Sequence, residues 1–241
     1  MTVIECMTWN VHRCRGRDGV IDPVRTADAL IETLRAAAVD LVVLTEADAE
    51  QPPYGGLLDL GRLEAETGLA SAHVDASLRW GDLSHGFLGT VVLHSGRLEL
   101  LGGHLLDLPG HYPRGATILE FGLDGGAFRL IATHLSLGQP LRAVQMRAIG
   151  QYLARKTPMP TLLVGDLNEW RPWGGLAFSR PIAGTHFQGP ALGSFPARFP
   201  ILPLDRVLAI APAKVAEARV LSSQMLRDTS DHLPLRARVM L

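Results

Sequence analysis

The stretch TLLVGDLNEW, residues 161–170, carries a short apolar run directly into Asp166 and Asn168. A continuous run of this kind, TLLVG at 161–165, has the length of a strand covered on both faces and is short for a helix. An aspartate just beyond it has an ordinary explanation as a turn former or helix cap. Working outward, the same pattern recurs. A strand spanning 2–11 delivers Asn10, LVVLT at 41–45 delivers Glu46, and FRLIATH at 128–134 delivers His134. Asp205 stands inside ILPLDRVLA, and Asp231 and His232 immediately precede a last strand at 233–240.

The segments between these strands fill out an α/β chain. Asp22-Pro23 reads as a cap and first helical residue, and Val24, Ala27, Leu30, Ile31 and Leu34 continue a helix over 23–38. Helices are expected again at 56–68 and 139–156. Further strands are expected at 70–75, 87–94, 97–106, 115–123, 127–134, 204–210 and 215–221, with Asp124-Gly125-Gly126 as a hairpin turn. Residues 170–203, rich in Pro, Gly and aromatics, read as a long loop with room for one short helix. No linker or repeat interrupts the chain, so 1–241 is expected to be a single domain.

Composition narrows the function classes. The 241 residues are 47% hydrophobic and 20% charged, as in ordinary globular proteins and unlike disordered ones. Lys+Arg is 23 against Asp+Glu 24, a net charge of -1, which lacks the basic excess of proteins that wrap long duplexes. No apolar run approaches the ~18 residues of a membrane span, and no secretory leader opens the chain. Two cysteines, Cys6 and Cys14, fit no zinc spacing and indicate a reducing compartment, so the expected location is cytoplasmic.

Strand ends on one edge of a sheet converge, and α/β proteins place their sites there. Four carboxylates, two histidines and two asparagines delivered together suit a hard divalent cation acting on a phosphoryl group. Asp205 within an apolar strand needs a partner, because an unpaired buried charge costs several kcal/mol by order of magnitude. Asp231-His232 offers one.

TWNVH, DLVVLTEAD, Arg114-Gly115, ATHLSLG followed by Arg142 and Gln145, LLVGDLNEW, SFPARFPILPLDRVL and SDHLPL occur in one order. That ordered set, from residue 8 to 235, resembles the endonuclease/exonuclease/phosphatase superfamily. The resemblance implies a four-layer α/β/β/α sandwich, two mixed β-sheets face to face with helices outside. It implies a Mg²⁺-dependent phosphoester hydrolase, with Mn²⁺ as a substitute. Glu46 would be the principal metal ligand, beside Asn10 and with help from Asp231. Asp166 would activate the attacking water and Asn168 would hold it. His232 would contact the phosphate with Asp205 fixing its tautomer, and His134 would donate to a non-bridging oxygen. Arg114 would touch the phosphate or pair on the surface. Thr45 departs from the glutamine common in the family, and 80–114, with Trp80, His85, His104 and His111, follows no family pattern.

Three rival readings fit the residues less well. Adjacent Ser230, Asp231 and His232 cannot form a serine-hydrolase relay, because neighbouring strand residues face opposite ways. A calcineurin-type site needs D-x-H and GNH motifs, neither of which is present. A non-catalytic binding member of the fold would not need every site position filled. The substrate class is a phosphate ester: nucleic acid, or a phosphorylated small molecule or lipid headgroup, with diester favoured over monoester. Arg13, Arg15 and Arg17 are expected to rim the site, and no protein partner is inferable.

Overall fold

The computed structural model describes residues 2–241 apart from Pro172 and Gly174. Eleven strands form two mixed sheets among the described residues. The first sheet has the order β10 (Lys214–Val220), β11 (Leu235–Met240), β1 (Val3–Asn10), β2 (Leu41–Thr45), β4 (Val91–His94) and β3 (Ala70–Ser71). The second runs β5 (Glu99–Leu108), β6 (Arg114–Leu123), β7 (Gly126–Thr133), β8 (Thr161–Asp166) and β9 (Asp205–Ile210). Each sheet holds one parallel pair, β1 with β2 and β7 with β8. The remaining neighbours are antiparallel.

The two-residue period of a strand sorts its side chains into separate layers. On β1, Ile4 and Cys6 enter the core between the sheets, while Met7 and Trp9 face outward. On β8, Leu162 and Val164 point inward and Leu163 outward; on β9, Val207 and Ala209 point inward and Leu208 outward. The outer face of the first sheet is covered by α1 (Pro23–Arg35) with its Ala27, Leu30 and Leu34, helped by α2 (Leu60–Thr67) and α5 (Gln224–Thr229). That of the second is covered by α3 (Gln139–Leu153), through Met146 and Ile149, and by the single turn α4 (Arg180–Ala183). The four-layer sandwich with outer helices is the expected architecture.

Several boundaries moved for local reasons. The expected helix 56–68 starts only at Leu60, because Asp59 accepts from the Arg62 backbone N–H at 2.9 Å and Leu57 is tied to Ala47. Expected strand 70–75 shortens to Ala70–Ser71 as the chain turns about His73. Pairing in 87–94 begins at Val91, after a tight turn with Leu88 and Gly89 at positive φ. Helix α5 was not foreseen, although Ser223 caps it by accepting from Leu226 N at 3.2 Å. The loop 170–203 does hold one short helix, α4.

His73 is a buried clasp in this region. Its Nδ1 lies 2.7 Å from the Leu78 carbonyl oxygen, and its Nε2 accepts from Val92 N–H at 3.0 Å. Burial is the main cause that pushes it down to about 4. The folded state therefore holds fewer protons than the unfolded one below about pH 6.5, the ordinary histidine value. His73 stabilises fully above that pH and loses its contribution as pH falls toward 4, by roughly 3 kcal/mol in all. His73→Leu should leave a buried N–H and C=O unpaired and cost about 1–3 kcal/mol for each at pH 7. The variant's loss of stability between pH 6.5 and 4.5 should be shallower than the wild type's. Urea melts across that range test both effects, and an unchanged acid slope would show that His73 takes up its proton in the native protein as readily as in the unfolded chain.

Candidate active site

The inward-facing parity of the strands continues past the apolar core and sets the chemistry. Asn10 follows Ile4 and Cys6 at even positions on β1; Asp166 follows Leu162 and Val164 on β8. His134 lies two residues beyond Ala132, at the end of β7, and Asp205 two before Val207, at the start of β9. Asp205 is the register partner of Asp166. The site is thus the polar end of the inter-sheet core. Close approach of β8 to β7 here requires glycine: a Cβ on Gly165 would stand 2.0 Å from the Thr133 carbonyl oxygen, and its φ is +140°.

The Asn10 amide joins the two sheets. Its Nδ2 donates to Asp166 Oδ2 at 2.9 Å and to Glu46 Oε1 at 3.2 Å, while its Oδ1 accepts from His12 N–H at 2.9 Å. Glu46 sits just past β2 with φ +56°, a left-handed conformation rarely held by such a residue. Arg13 Nη1 donates to its Oε2 at 2.5 Å and Nη2 reaches Glu50 at 3.5 Å.

Asp166 Oδ2 is the common neighbour of both site histidines, 3.5 Å from His134 Nε2 and 3.9 Å from His232 Nε2. The rings differ in charge. Burial chiefly drives His134 down to about 3, assisted by nearby Arg114 and opposed by Asp166. Arg114 Nη1 stands 3.3 Å from Nδ1 and Asn168 Nδ2 3.1 Å from Nε2, so the neutral ring accepts at one nitrogen and keeps its single N–H at the other. Burial opposes a charge on His232 as well. The Asp205 carboxylate, 2.7 Å from its Nδ1, and Asp166 beyond it overcome that cost and hold His232 up at about 10. Asp205 is fully buried, and Ser194 Oγ donates to its Oδ2 at 2.6 Å.

Asn168 has φ +52°. Its N–H donates to Asp166 Oδ1 at 3.0 Å and its Nδ2 to the Leu135 carbonyl at 2.8 Å. Behind it, fully buried Glu169 is held ionised despite burial by Arg171, at 2.7 and 2.6 Å, with Arg142 at 3.4 Å. Arg206 donates to the carbonyls of Glu169 and Arg171 at 2.8 and 3.0 Å, and not to adjacent Asp205. Ser194 and Glu169 were not singled out from sequence. The aspartate inside an apolar strand signalled a missing partner, and Ser194, eleven residues upstream, shares that role with His232.

Most expected site residues meet. Asn10, Glu46, Asp166, Asn168, His134, Arg114 and Arg13 form one contact set, joined by His232 and Asp205. Asp231 lies at its edge, with Oδ1 3.5 Å from His12 Nδ1, buried, and without a hydrogen-bond partner. Arg15 and Arg17 require correction, since the chain turns through left-handed His12, Arg13 and Cys14 and sends them elsewhere. Arg15 donates to the Gly19 carbonyl at 2.9 Å and Arg17 pairs with Asp228 at 3.9 Å. His85 is half-buried beside the cleft: its backbone N–H donates to Asp48 at 3.0 Å and its ring contacts the Leu58 carbonyl at 2.5 Å. The aromatics of 170–199 divide, with Phe178 and Phe187 buried, Phe195 against the His232 ring at 4.8 Å, and Trp170, Trp173 and Phe199 exposed.

The open carboxylates, Glu46, Asp166 and Asp231, present hard oxygen donors beside two amide side chains, the chemistry that Mg²⁺ or Mn²⁺ takes. Orphaned Asp231 Oδ1 fits the same reading. Asp166, Asp205 and His232 have ligand atoms within 4.8 Å of one another. There, though, Asp205 Oδ2 already serves His232 and Ser194, so this trio is a hydrogen-bonded relay before it is a cage.

Comparison with known proteins places this geometry. The profile of the Endonuclease/Exonuclease/phosphatase family matches residues 7–232. YbhP, an uncharacterized protein of Escherichia coli, is 25% identical over 231 residues, covering 87% of each chain. Among solved structures, TDP2 of D. rerio complexed with a single-strand DNA product superposes with a TM-score of 0.72 at 16% identity, covering all of both chains. A mannosyl-6-phosphatase of Bacteroides thetaiotaomicron gives 0.74 at 14% identity, covering 99% of this chain and 100% of its own. Both share the fold.

Asp205→Asn tests the relay. Without its anion His232 should return toward the ordinary imidazole range, read by NMR titration of the ring, while turnover falls by roughly two to four orders of magnitude. Arg114→Ala should weaken substrate binding, whereas Arg15→Ala and Arg17→Ala should leave kcat/KM within about twofold, as surface changes do. An unmoved His232 titration would remove Asp205 from the mechanism.

Proposed function

We propose that this chain, which belongs to the endonuclease/exonuclease/phosphatase family, is a Mg²⁺- or Mn²⁺-dependent hydrolase of phosphodiester bonds. The observation that carries the reading is the crowding of Asn10, His134 and His232 around one oxygen of Asp166. A carboxylate so placed can take a proton from an attacking water, with Asn168 fixing its other oxygen. His232, cationic through Asp205, faces the phosphate and stabilises charge on the oxygens or protonates the leaving group. Neutral His134 serves a non-bridging oxygen as a hydrogen-bond donor, with Arg114 beside it.

Glu46 would hold the metal, with Asn10 and Asp231 contributing to its shell. The ion supplies Lewis-acid stabilisation of the phosphoryl oxygens when bound. The charge inventory favours a diester. Arg13 is paired with Glu46 and Glu50 and His232 with Asp205, leaving Arg114 as a cation at the cup without an ion pair among the described residues. That suits a monoanionic phosphate better than a dianionic one. Residues 1–241 act as one domain in this reading, because the inter-sheet core uses strands from both ends of the chain. No helix among the described residues is long and apolar enough to cross a membrane. The buried thiols Cys6 and Cys14 support a reducing, cytoplasmic setting.

Bis(p-nitrophenyl) phosphate should be hydrolysed with added Mg²⁺ or Mn²⁺ and not after chelation. Asp166→Asn should lower kcat by at least about a hundredfold, in the range for a lost general base. Glu46→Gln should abolish the rise in Tm that Mg²⁺ produces in the wild type. Equal turnover by Asp166→Asn and wild type would exclude this mechanism.

A further inference from the structure

We propose that the cleft beside the catalytic cup is a subsite for a nitrogen-bearing heteroaromatic ring carried by the phosphoester, a nucleobase by its chemistry, with Trp80 as the surface it stacks on. The proposal rests on the phosphoester reading above and adds which group lies next to the phosphate.

The cleft has a volume of about 510 Å³. Glu46 and His134 form part of its wall, so it opens directly onto the reacting groups. Tyr54, Trp80, Tyr112 and Leu137 line another part. Their exposure is unusual: Trp80 is 42% exposed, Tyr112 75% and Leu137 78%. Large apolar groups left open around a concave polar site are what a ligand covers.

Trp80 is also held in place. Its ring meets Tyr54 edge-on at 6.4 Å and 77°, and Phe87 at 5.9 Å and 54°. Its backbone N–H donates to Gly86 at 2.9 Å. Phe87 is buried and lies so close to Gly115 that a Cβ there would stand 2.0 Å from the Phe87 ring. An indole braced from behind and open in front is pre-organised for stacking.

One further atom separates a base from an acyl chain. Asp48 lines the same cleft and is 4% exposed; its Oδ1 accepts from His85 N–H at 3.0 Å, and its Oδ2 is buried without a hydrogen-bond partner. Burial pushes the Asp48 carboxyl up, and the His85, Gly86 and Gly89 N–H groups beside it only partly offset this, so the oxygen without a bond of its own is best served by a further N–H donor. A nucleobase edge supplies one while its face covers Trp80. A hydrocarbon tail would leave that oxygen desolvated and unsatisfied. The cleft's volume also falls within the roughly 300–1,000 Å³ of small-molecule sites.

The test measures binding by calorimetry, in Mg²⁺, of adenosine and uridine 5′-monophosphates, ribose 5-phosphate and dihexanoyl phosphatidic acid. At least one nucleotide should bind tenfold or more tightly than ribose 5-phosphate, the scale that base stacking on an aromatic gives. The preference should fall to about twofold in Trp80→Ala, survive in Trp80→Phe, and weaken in Asp48→Ala. Equal binding of nucleotide and ribose phosphate, or tightest binding of the phosphatidic acid, would overturn it; the latter assigns the wall to an acyl chain. If none binds yet bis(p-nitrophenyl) phosphate is hydrolysed, the subsite fails alone. If hydrolysis is absent as well, the phosphoester reading fails and the subsite with it.

Discussion

Asn10 gives its amide nitrogen to two carboxylates that belong to different sheets, and the rest of the cup is arranged around that tie. Glu46 ends a strand of the first sheet and Asp166 a strand of the second; a common donor at 3.2 and 2.9 Å keeps two like charges at close quarters. The Asn10 side-chain Oδ1, accepting from His12 N–H, starts the left-handed turn through Cys14. That turn brings Arg13 back onto Glu46. Backbone bonds from Val11 to Thr45 and from Arg13 to Glu46, both 3.0 Å, hold the same junction. Strained backbone at Arg13, Glu46 and Asn168, of order 1–3 kcal/mol each, collects where these contacts over-determine it.

The second sheet meets the first through His232. Its backbone carbonyl accepts from buried Trp9 Nε1 at 2.9 Å, and Ser230 Oγ donates to the Asn10 carbonyl at 2.7 Å. Its ring reaches across to Asp205 at 2.7 Å. One residue is therefore fastened to β1 by its main chain and to β9 by its side chain. With His134 neutral and His232 cationic beside the same carboxylate oxygen, the cup holds two imidazoles in opposite proton states. Environment alone separates them, since Asp205 touches one ring and arginine and amide donors face the other.

Much of this was legible in the residues before any coordinates. Runs such as LVVLT and TLLVG announce buried strands, and a polar residue right after each marks where the core ends. Asp205 declared its need for a partner by standing among leucines. Ordered motifs supplied the two-sheet architecture that local periodicity did not. What escaped depends on the path of the chain in space. Arg13, Arg15 and Arg17 alternate identically along the sequence, and only the left-handed turn separates the one that reaches Glu46 from the two that do not. Ser194 and Glu169 carry no periodic signal, because each acts through a contact made across a loop. Helix α5 is one and a half turns long, too short for an apolar stripe to show; Ser223 was its only marker.

The chemistry is written in the same alternation that packs the core. A single residue inserted within β1, β8 or the end of β7 would rotate Asn10, Asp166 or His134 to the opposite face and exchange the apolar residues of the two layers with them. Length changes in those strands therefore cost packing and chemistry together. The segments at 49–57, 80–89 and 109–113 frame the aromatic cleft from outside the alternation. Gly89 and Leu57 are hydrogen-bonded to Ala47 beside Glu46, and Glu50 pairs with Arg13, so the parts of these segments away from those contacts are the ones free to change. A lineage, or an engineer, is thus free to redraw what the enzyme embraces while the bond-breaking apparatus stays frozen in register.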